Sequence, residues 1–410
     1  MTSHIGGVNQ PGDNWPVTEP RKRRTMRNVA SKPSLVSQER VAVTHDYLDQ
    51  YGGAERTVLA ICQRFRSAPL YTSVYDRAAM RRLGFIEPAQ RIVVSFIQRW
   101  PFRRRVPRYY LTWLYPLAFR TFDLRGYELI LSSANFAAKD LTLLPGAVHV
   151  SYCYTPPRFL WGFDSDTACR AMPLHERPLA MLAKATLRRL DYRAAQQVDL
   201  FVACSNAVAR RIQQVYGRSS VVVYPPVEIG RFDRHPVRDE GFFLTVSRLN
   251  AYKRLDYVIE ACNRAGLPLL VVGTGPWEAH LRSRAGPTVK VTGHLPDDEV
   301  ERLMSCCRAF VLPGEEDFGI AAVEAMAAGK PVVALRRGGA VETVIDGETG
   351  LLYDEPTVES FLDAVGRLPA TRWDAGAIQA RARNFDKARF TERLDEAIAS
   401  AMRRGSSVVH

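Results

Sequence analysis

Residues 312–342, LPGEEDFGIAAVEAMAAGKPVVALRRGGAVE, contain the pattern that decides the fold. An apolar run ends at Leu312, an acidic loop follows, and a helix-like segment begins near Gly319. A second apolar run, PVVAL, comes directly after that segment. Strands and helices that alternate in this way are typical of a parallel sheet covered on both faces. Two carboxylates, Glu316 and Glu324, lie eight positions apart on either side of the predicted helix start.

The same alternation extends along most of the chain. Apolar runs such as RVAVTHDY, YELILSSA, GAVHVSYC and VDLFVACS precede a polar, proline-bearing bridge near residues 225–240, and FFLTVS, PLLVVG, VKVTG and AFVLPG follow it. The fold class is therefore predicted as α/β, with two doubly wound, Rossmann-like domains at residues 40–228 and 241–385. Ligands of such domains bind where loops at the carboxyl ends of the strands face each other across the cleft.

The two ends of the chain differ in composition from this body. Residues 1–39 are rich in Gly, Pro, Ser and Asn, carry a basic run at residues 21–24, and show no apolar period. Such a segment cannot bury enough apolar surface to offset its ordering entropy, so a disordered basic tail is predicted. Residues 386–410 are predicted to form a C-terminal helix and tail.

Charge and cysteine content limit the class of protein. The chain has 410 residues and a formal net charge of +13, which favours an anionic partner. Nucleic acid, an acidic membrane surface and a phosphorylated small molecule all satisfy that charge, although no nucleic-acid recognition motif is present. Its seven cysteines show neither C-x-x-C pairs nor metal spacing, and no apolar run approaches the roughly 18 residues of a membrane span. We therefore expect reduced thiols and a cytoplasmic location.

Two loops of the second predicted domain suit a diphosphate. The stretch VSRLNAYKRLD holds Arg248 and Lys253 between a strand and the next helix, where free helix amides also bind anions. Two solvated surface charges are the alternative interpretation. In VVGTGP, Gly273 and Gly275 follow a strand, and a backbone without side chains lets a ligand approach closely.

The two acids need a ligand that carries hydroxyl groups. The backbone N–H groups of Phe318, Gly319 and Ile320 are expected to be unpaired at the helix start and to bind phosphate. Glu316 and Glu324 then accept hydrogen bonds from sugar and ribose hydroxyls while the cations hold the diphosphate.

A structural role for the acids is the alternative. In that case Glu316 caps the helix, and Glu324 pairs on the helix surface with Lys330 or Arg336. Capping carboxylates are common, so the two acids alone do not decide between the interpretations.

The order of motifs resembles one known family. EEDFGIAAVEAMAAGKPVVA is similar to the E-x7-E signature of retaining nucleotide-sugar glycosyltransferases of family four, which have the GT-B fold. VSRLNAYKRLD, VVGTGP, VTGHLPDDEV and RRGGAVETVIDGETGLL stand in the family's order. In the first half, THDYLDQYGGAERTV resembles the family's glycine loop, and SYCYTPPRFLWGF resembles mannosyltransferase-like members of cell-envelope polysaccharide pathways. The resemblance covers roughly residues 40–385.

The resemblance implies a reaction and its parts. A hexose, with mannose from GDP-mannose as the first candidate, would pass with retention to a saccharide or lipid-linked acceptor, without a metal or other cofactor. The first domain would face the acceptor, and the second would bind the nucleotide sugar. The implied roles are leaving-diphosphate stabilisation by Arg248 and Lys253, donor-sugar contact by Glu316, ribose binding by Glu324, phosphate closure by Gly52 and Gly53, and a position near the base for Leu295.

One position departs from the family pattern. Related sequences carry histidine where SYCYTPP has Tyr154, and that histidine lies at the donor site in the family. Tyrosine still donates a hydrogen bond but carries no positive charge. We expect the Tyr154 side chain to reach the cleft. Two other functions stay open on this fold: a nucleotide-sugar epimerase, which needs no acceptor, and a catalytically silent binding scaffold.

A segment of the first domain interleaves arginine with aromatic residues. It is FIQRWPFRRRVPRYYLTWLYPLAFR, residues 96–120. This composition suits an anionic membrane interface, where rings lie at headgroup level, and would also suit single-stranded nucleic acid. A loop and helix packed on the first domain is the structural alternative. Since many family members act on lipid-linked acceptors, the resemblance favours a peripheral position on the inner face of the plasma membrane.

Overall fold

The computed structural model describes residues 40–50, 52–82, 90–100, 112–163 and 177–407. The predicted disordered tail at residues 1–39 lies outside these ranges. So does the central part of the arginine and aromatic segment, residues 101–111.

The first half of the chain builds a parallel sheet of seven strands. The strands are β1 (Val41–His45), β2 (Leu70–Thr72), β3 (Ile92–Val94), β4 (Leu129–Ala134), β5 (Val148–Cys153), β6 (Leu200–Ala203) and β7 (Ser220–Val222). Their order in the sheet is β3-β2-β1-β4-β5-β6-β7. The helices are α1 (Gly53–Arg64), α2 (Arg77–Arg82), α3 (Leu114–Arg120), α4 (Arg158–Trp161), α5 (Arg177–Gln196) and α6 (Asn206–Tyr216).

The second half builds a parallel sheet of six strands. They are β8 (Phe243–Val246), β9 (Leu269–Val272), β10 (Val289–Gly293), β11 (Ala309–Leu312), β12 (Val332–Leu335) and β13 (Gly350–Tyr353), in the order β10-β9-β8-β11-β12-β13. The helices are α7 (Leu255–Ala265), α8 (Glu278–Arg284), α9 (Asp297–Cys306), α10 (Ile320–Ala327), α11 (Ala340–Thr343), α12 (Val358–Arg367), α13 (Ala375–Ala382) and α14 (Lys387–Ser407). The predicted pair of doubly wound sheets is confirmed.

Burial explains why these segments are strands. Every residue of β1, β4, β5, β6, β11 and β12 is buried. Strands covered by helices on both faces need apolar or β-branched residues at successive positions, and these strands are mostly built of them. The last helix, α14, returns to the first sheet, where the Phe390 ring meets the Tyr152 ring at 5.7 Å.

The strand order of each sheet shows where a ligand-binding crevice is expected. It reverses between β1 and β4 in the first sheet and between β8 and β11 in the second. Loops that leave neighbouring strands in opposite directions open a crevice at such a switch point, and ligands of doubly wound sheets bind there. The segments 46–50, 135–136, 247–253 and 313–319 follow these four strands.

Two further expectations concern thiols and membranes. The six cysteines in the described ranges are free and buried, and burial raises the pKa of Cys62 to about 12. These thiols are therefore protonated and unreactive at neutral pH. Of the helices that the structure describes, none is long and apolar enough to cross a membrane.

Candidate active site

Lys253, predicted to bind the diphosphate, and Glu316, predicted to bind the donor sugar, meet at the switch point of the second sheet. Lys253 ends a short 3-10 helix after β8, and Glu316 lies in the loop after β11. The Lys253 ammonium donates a hydrogen bond to Glu316 Oε1, and the two side chains are only 13% and 16% exposed. Burial alone would lower the pKa of Lys253, but the adjacent Glu316 carboxylate outweighs it and raises that pKa. The lysine is therefore held in its charged form beside the acid.

Glu324 projects from α10 into a cluster of guanidinium groups. Its Oε1 accepts from Arg56 Nη1 at 2.5 Å and from Arg231 Nη2 at 2.6 Å, and the side chain is 7% exposed. Its Oε2 accepts no hydrogen bond from any residue in the described ranges. The carboxylate is thus oriented through one oxygen, and the other remains available for a hydroxyl group.

The structural alternative for the two acids is wrong. Glu316 bonds Lys253, and Gly319, the N-cap residue of α10, supplies no side-chain cap, nor does any other described side chain. Lys330 donates instead to the carbonyl of Arg238. Arg336 likewise pairs with Asp346 and Asp354 rather than with Glu324. Glu316 is therefore paired within the second half, and Glu324 is paired with arginines of the first half and of the joining segment, not with neighbours on its own helix.

The start of α10 lies against the glycine loop of the first half. Gly319 adopts a left-handed backbone with φ of 89°, and no N–H of Phe318, Gly319 or Ile320 donates to another described residue. A Cβ placed on Gly53 would lie 2.7 Å from Cδ1 of Ile320, so any larger residue here would have to displace the end of the Ile320 side chain. Gly52 is the residue before α1. The Phe318 side chain is buried against Tyr224, which leaves only its backbone for a ligand.

Gly273 and Gly275, which were predicted to lie against the donor, lie directly against a protein loop instead. A Cβ on Gly273 would lie 1.9 Å from the carbonyl oxygen of Ser247, and one on Gly275 would lie 2.4 Å from that of Leu249. The absent side chains therefore make room for the loop that carries Arg248, whereas the sequence interpretation assigned that room to a ligand. Arg248 itself is exposed and donates to Gln50 Oε1 at 2.7 Å.

The expectation that Tyr154 reaches into the cleft is wrong. Its side chain is 9% exposed and belongs to the hydrophobic core. The hydroxyl donates to the carbonyl of Ala54 at 2.8 Å and accepts from Ser133 Oγ at 2.8 Å. Ser133 Oγ lies 2.9 Å from His45 Nδ1. A buried phenol needs such partners, and burial raises the pKa of Tyr154 well above its ordinary value.

Two arginines of the first half hold the acidic loop, and sequence analysis missed them. Arg158 Nη2 donates to Asp317 Oδ1 at 2.7 Å, and Arg211 Nη1 donates to the same oxygen. Arg211 Nη2 also donates to Glu315 Oε1 at 2.5 Å. The carboxylates on either side of Glu316 are thus anchored by the first half of the chain. The run GEEDFG could have indicated these arginines, because three adjacent acids need cationic partners nearby.

Glu342 makes a further connection between the halves. Its carboxylate accepts from the backbone N–H groups of Asn206 and Ala207 at 2.9 and 3.0 Å, and so caps α6 from the other domain. The Tyr224 hydroxyl donates to the same carboxylate at 3.2 Å.

Leu295, the predicted neighbour of the base, follows β10 and packs half-buried against the core. In the described ranges, no three His, Cys, Asp or Glu side chains form a group able to hold a metal ion.

Two family profiles match the chain in succession. Residues 51–231 match Glycosyltransferase Family 4, and residues 228–384 match Glycosyl transferases group 1. Both crevices and both switch points lie within, or within a few residues of, the matched stretches.

Similar proteins include two mannosyltransferases. The GDP-mannose-dependent alpha-(1-6)-phosphatidylinositol monomannoside mannosyltransferase of Mycolicibacterium smegmatis is 30% identical over 244 residues, which cover 52% of this chain and 63% of the relative. The match thus spans less than two thirds of that relative's length. The alpha-1,3/1,6-mannosyltransferase ALG2 of Dictyostelium discoideum is 23% identical over 387 residues, covering 80% and 89%.

Solved structures share the architecture. Anabaena Alr3699/HepE, in complex with UDP-glucose, superposes with a TM-score of 0.62 at 20% identity over 88% of this chain and 99% of that one. Sucrose-phosphate synthase from Thermosynechococcus elongatus gives 0.62 at 16% identity over 90% and 99%. At these identities the likeness concerns the fold alone.

Proposed function

Because the chain belongs to the family 4 glycosyltransferases, which have the GT-B fold, we propose that it moves a hexose from a nucleotide-diphosphate sugar to a saccharide or lipid-linked acceptor. The observation that carries the proposal is the convergence of the Lys253–Glu316 pair, Glu324 and the unpaired amides of α10 at one switch point. Mannose is the first candidate, with GDP-mannose as donor, since the two similar proteins named above are mannosyltransferases and one is GDP-mannose-dependent.

The proposed donor site divides the nucleotide sugar into charged and neutral parts. Arg248, Lys253 and the first amides of α10 bind the diphosphate, because cations and helix N-termini both favour anions. Glu324 accepts a ribose hydroxyl through its Oε2, and Glu316 accepts from hydroxyls of the donor sugar. No metal is needed in this scheme, because the two side-chain cations and the helix end supply the positive charge.

The proposed transfer proceeds on one face of the sugar. The bond from the anomeric carbon to the diphosphate oxygen breaks, and the acceptor oxygen bonds that carbon from the same face, so the configuration is retained. The acceptor proton passes to the departing diphosphate. Arg248 and Lys253 stabilise the charge that grows on this leaving group. Loss of one such interaction typically costs about 2.7–4 kcal/mol, or roughly 10²–10³ in rate.

A donor panel tests the proposal. Thermal unfolding is followed with GDP-, UDP- and ADP-sugars, since a ligand at 100 times its Kd adds about 2.7 kcal/mol to the free energy of unfolding. The best donor is then incubated with candidate acceptors, and NMR of the anomeric proton reports the configuration of the product. Stabilisation by GDP-mannose and an α-linked product support the proposal. Stabilisation by no nucleotide sugar contradicts it.

We further propose that the protein works at an anionic membrane surface in the cytoplasm. In the described part of the arginine and aromatic segment, the side chains of Phe96, Trp100, Trp113 and Leu117 are exposed, and the 3-10 helix at Phe96–Arg99 packs against α3. Exposed apolar groups on adjoining elements suit insertion at headgroup level. Tyr115 is buried and takes no part.

Vesicle pelleting tests this location. Binding to anionic vesicles should fall with added salt and fall again when Arg103, Arg104 and Arg105, which lie outside the described residues, become Ser. Equal pelleting with neutral vesicles contradicts a charge-driven association.

A further inference from the structure

A pocket of about 360 Å³ lies in the cleft beside the proposed donor site. Side chains of both halves line it, including Arg248 at its edge, whereas Glu316 and Glu324 are not among the described lining residues. A volume of this size lies within the range of small-ligand sites, about 300–1,000 Å³. The donor scheme above leaves this space without an occupant.

Aromatic rings form much of the pocket wall. Phe136 and Phe159 pack edge to face with ring centroids 5.4 Å apart, and Tyr47 and Tyr115 do so at 6.4 Å. Tyr252 of the second half completes the set. Rigid rings pack well against the apolar C–H face of a pyranose, and they lose little side-chain entropy in doing so.

Two side-chain amides of the wall are available to a ligand. Asn135, directly after β4, and Asn250, in the loop after β8, both line the pocket and are half-buried. Within the described part of the chain, neither amide group has a hydrogen-bond partner. An amide both donates and accepts, as a sugar hydroxyl does, so two such groups suit a polyhydroxylated ligand.

The charges of the lining residues that the structure describes cancel. Two carboxylates, Asp46 and Asp317, stand against two guanidinium groups, Arg158 and Arg248. Asp46 accepts from three backbone N–H groups at 2.6 to 2.9 Å, and Arg158 pairs with Asp317 at 2.7 Å. The remaining cation, Arg248, is the one assigned to the departing diphosphate. Among the described residues, the pocket thus offers no further cation for a phosphate on the ligand.

We propose that this pocket is the acceptor subsite and that it takes a neutral pyranose glycoside, not a phosphate-bearing polyol. The inference rests on the proposed function and names its acceptor class. The pocket adjoins Arg248, so a hydroxyl bound there lies on the side from which the leaving group departs.

Saturation-transfer NMR on the full chain tests the assignment with two probes, methyl α-D-mannopyranoside and myo-inositol 1-phosphate. The glycoside should bind with and without GDP, and the inositol phosphate should not compete with it. Phe159→Ala and Asn135→Ala should weaken glycoside binding by roughly three- to tenfold, the effect expected for one aromatic contact or one hydrogen bond. Tyr192→Ala is the control, because Tyr192 is 44% exposed, as against 46% for Phe159, and lies outside the pocket.

Three results overturn the assignment: preferential binding of inositol phosphate, displacement of the glycoside by GDP, or unchanged glycoside binding in both variants. Each variant's GDP affinity is measured by calorimetry and should match the wild type, which shows that the fold and the donor site persist. Absence of binding by any nucleoside diphosphate contradicts the proposed function instead. The glycoside measurement without nucleotide keeps the two failures distinguishable.

Discussion

Arg56 and Glu324, 268 positions apart in the sequence, are joined by a hydrogen bond of 2.5 Å between Nη1 and Oε1. The arginine belongs to the first turn of α1 and the acid to α10, so the contact links the glycine loop of one half to the proposed donor site of the other. Arg231 holds the same oxygen from the segment that joins the halves. A carboxylate fixed in this way loses little freedom when a ligand hydroxyl binds its other oxygen.

Glu324→Ala should raise the donor KM about tenfold with a smaller change in kcat, because ribose is bound equally in the ground and transition states. Arg56→Gln should raise KM less, since Arg231 still orients the acid. Steady-state kinetics with the best donor measure both. Arg64→Gln is the matched control. Arg64 lies on the same helix, its side chain is 28% exposed as against 27% for Arg56, and it pairs with Asp395 instead of Glu324. A fall in kcat alone for Glu324→Ala would contradict ribose binding.

Glu316→Ala should lower kcat by a factor of roughly 10²–10³ and leave the affinity for free nucleoside diphosphate nearly unchanged, because the acid is assigned to the donor sugar.

Lys253→Ala should weaken nucleoside diphosphate binding, as calorimetry would show. Each change leaves a charged partner nearly buried and alone, so unfolding is measured in parallel to separate lost stability from lost chemistry. Wild-type kinetics in Glu316→Ala would remove it from the site.

The sheets and the two acids could be predicted because both depend on local sequence. Apolar runs of strand length identify buried parallel strands, and the spacing of Glu316 and Glu324 places them around one helix start. Their partners could not be predicted in the same way. Arg56, Arg158 and Arg211 reach the second half only after both domains have folded and met, and no local pattern encodes that arrangement.

Tyr154 and the donor-loop glycines show another limit of sequence reasoning. The position of Tyr154 after a strand predicts the neighbourhood of the cleft, but the direction of its ring depends on Ser133 and the Ala54 carbonyl, which come from other segments. Gly273 and Gly275 are required by close packing, and their neighbour is a protein loop. A glycine pattern predicts a close approach without showing what approaches.

His149 should make stability depend on pH. Burial lowers its pKa from 6.5 to about 3, and the nearby Lys139 ammonium acts in the same direction. The unfolded chain takes up this proton near pH 6.5 and the folded chain does not until about pH 3. The free energy of unfolding therefore falls as pH falls through that window, by up to about 1.4 kcal/mol per pH unit, and the contribution is fully present above it.

Urea denaturation of His149→Gln at pH 7.5, 6.0 and 5.0 measures this contribution. The variant should lose less stability than the wild type between pH 7.5 and 5.0, whatever its stability at pH 7.5. His280→Gln, in which an exposed histidine is changed, should keep the wild-type slope. Equal slopes in His149→Gln and wild type would show that His149 takes up its proton in the folded state as well.

Tyr154→Phe separates packing from catalysis at the position where related sequences carry histidine. Removal of the hydroxyl takes one buried hydrogen bond from the Ala54 carbonyl and one from Ser133, which keeps its contact with His45, so the free energy of unfolding should fall by about 1–3 kcal/mol. Because the hydroxyl lies in the core, kcat/KM should change by less than about tenfold, and the pH profile should lack a limb near pH 6.5 from this position. Denaturation and steady-state kinetics on the same preparation give both quantities.

Tyr154→His supplies the opposing test. If the buried site at Tyr154 serves the fold, an imidazole there has to replace a phenol between Ser133 and Ala54, and the variant should be less stable and no more active than the wild type. A wild type inert toward every donor and acceptor, together with a histidine variant that transfers sugar, would contradict the proposed function and favour a binding scaffold that has lost catalysis. An active wild type with a tenfold or greater loss in Tyr154→Phe would instead place the hydroxyl in the reaction, acting through Ala54 and the glycine loop that it holds.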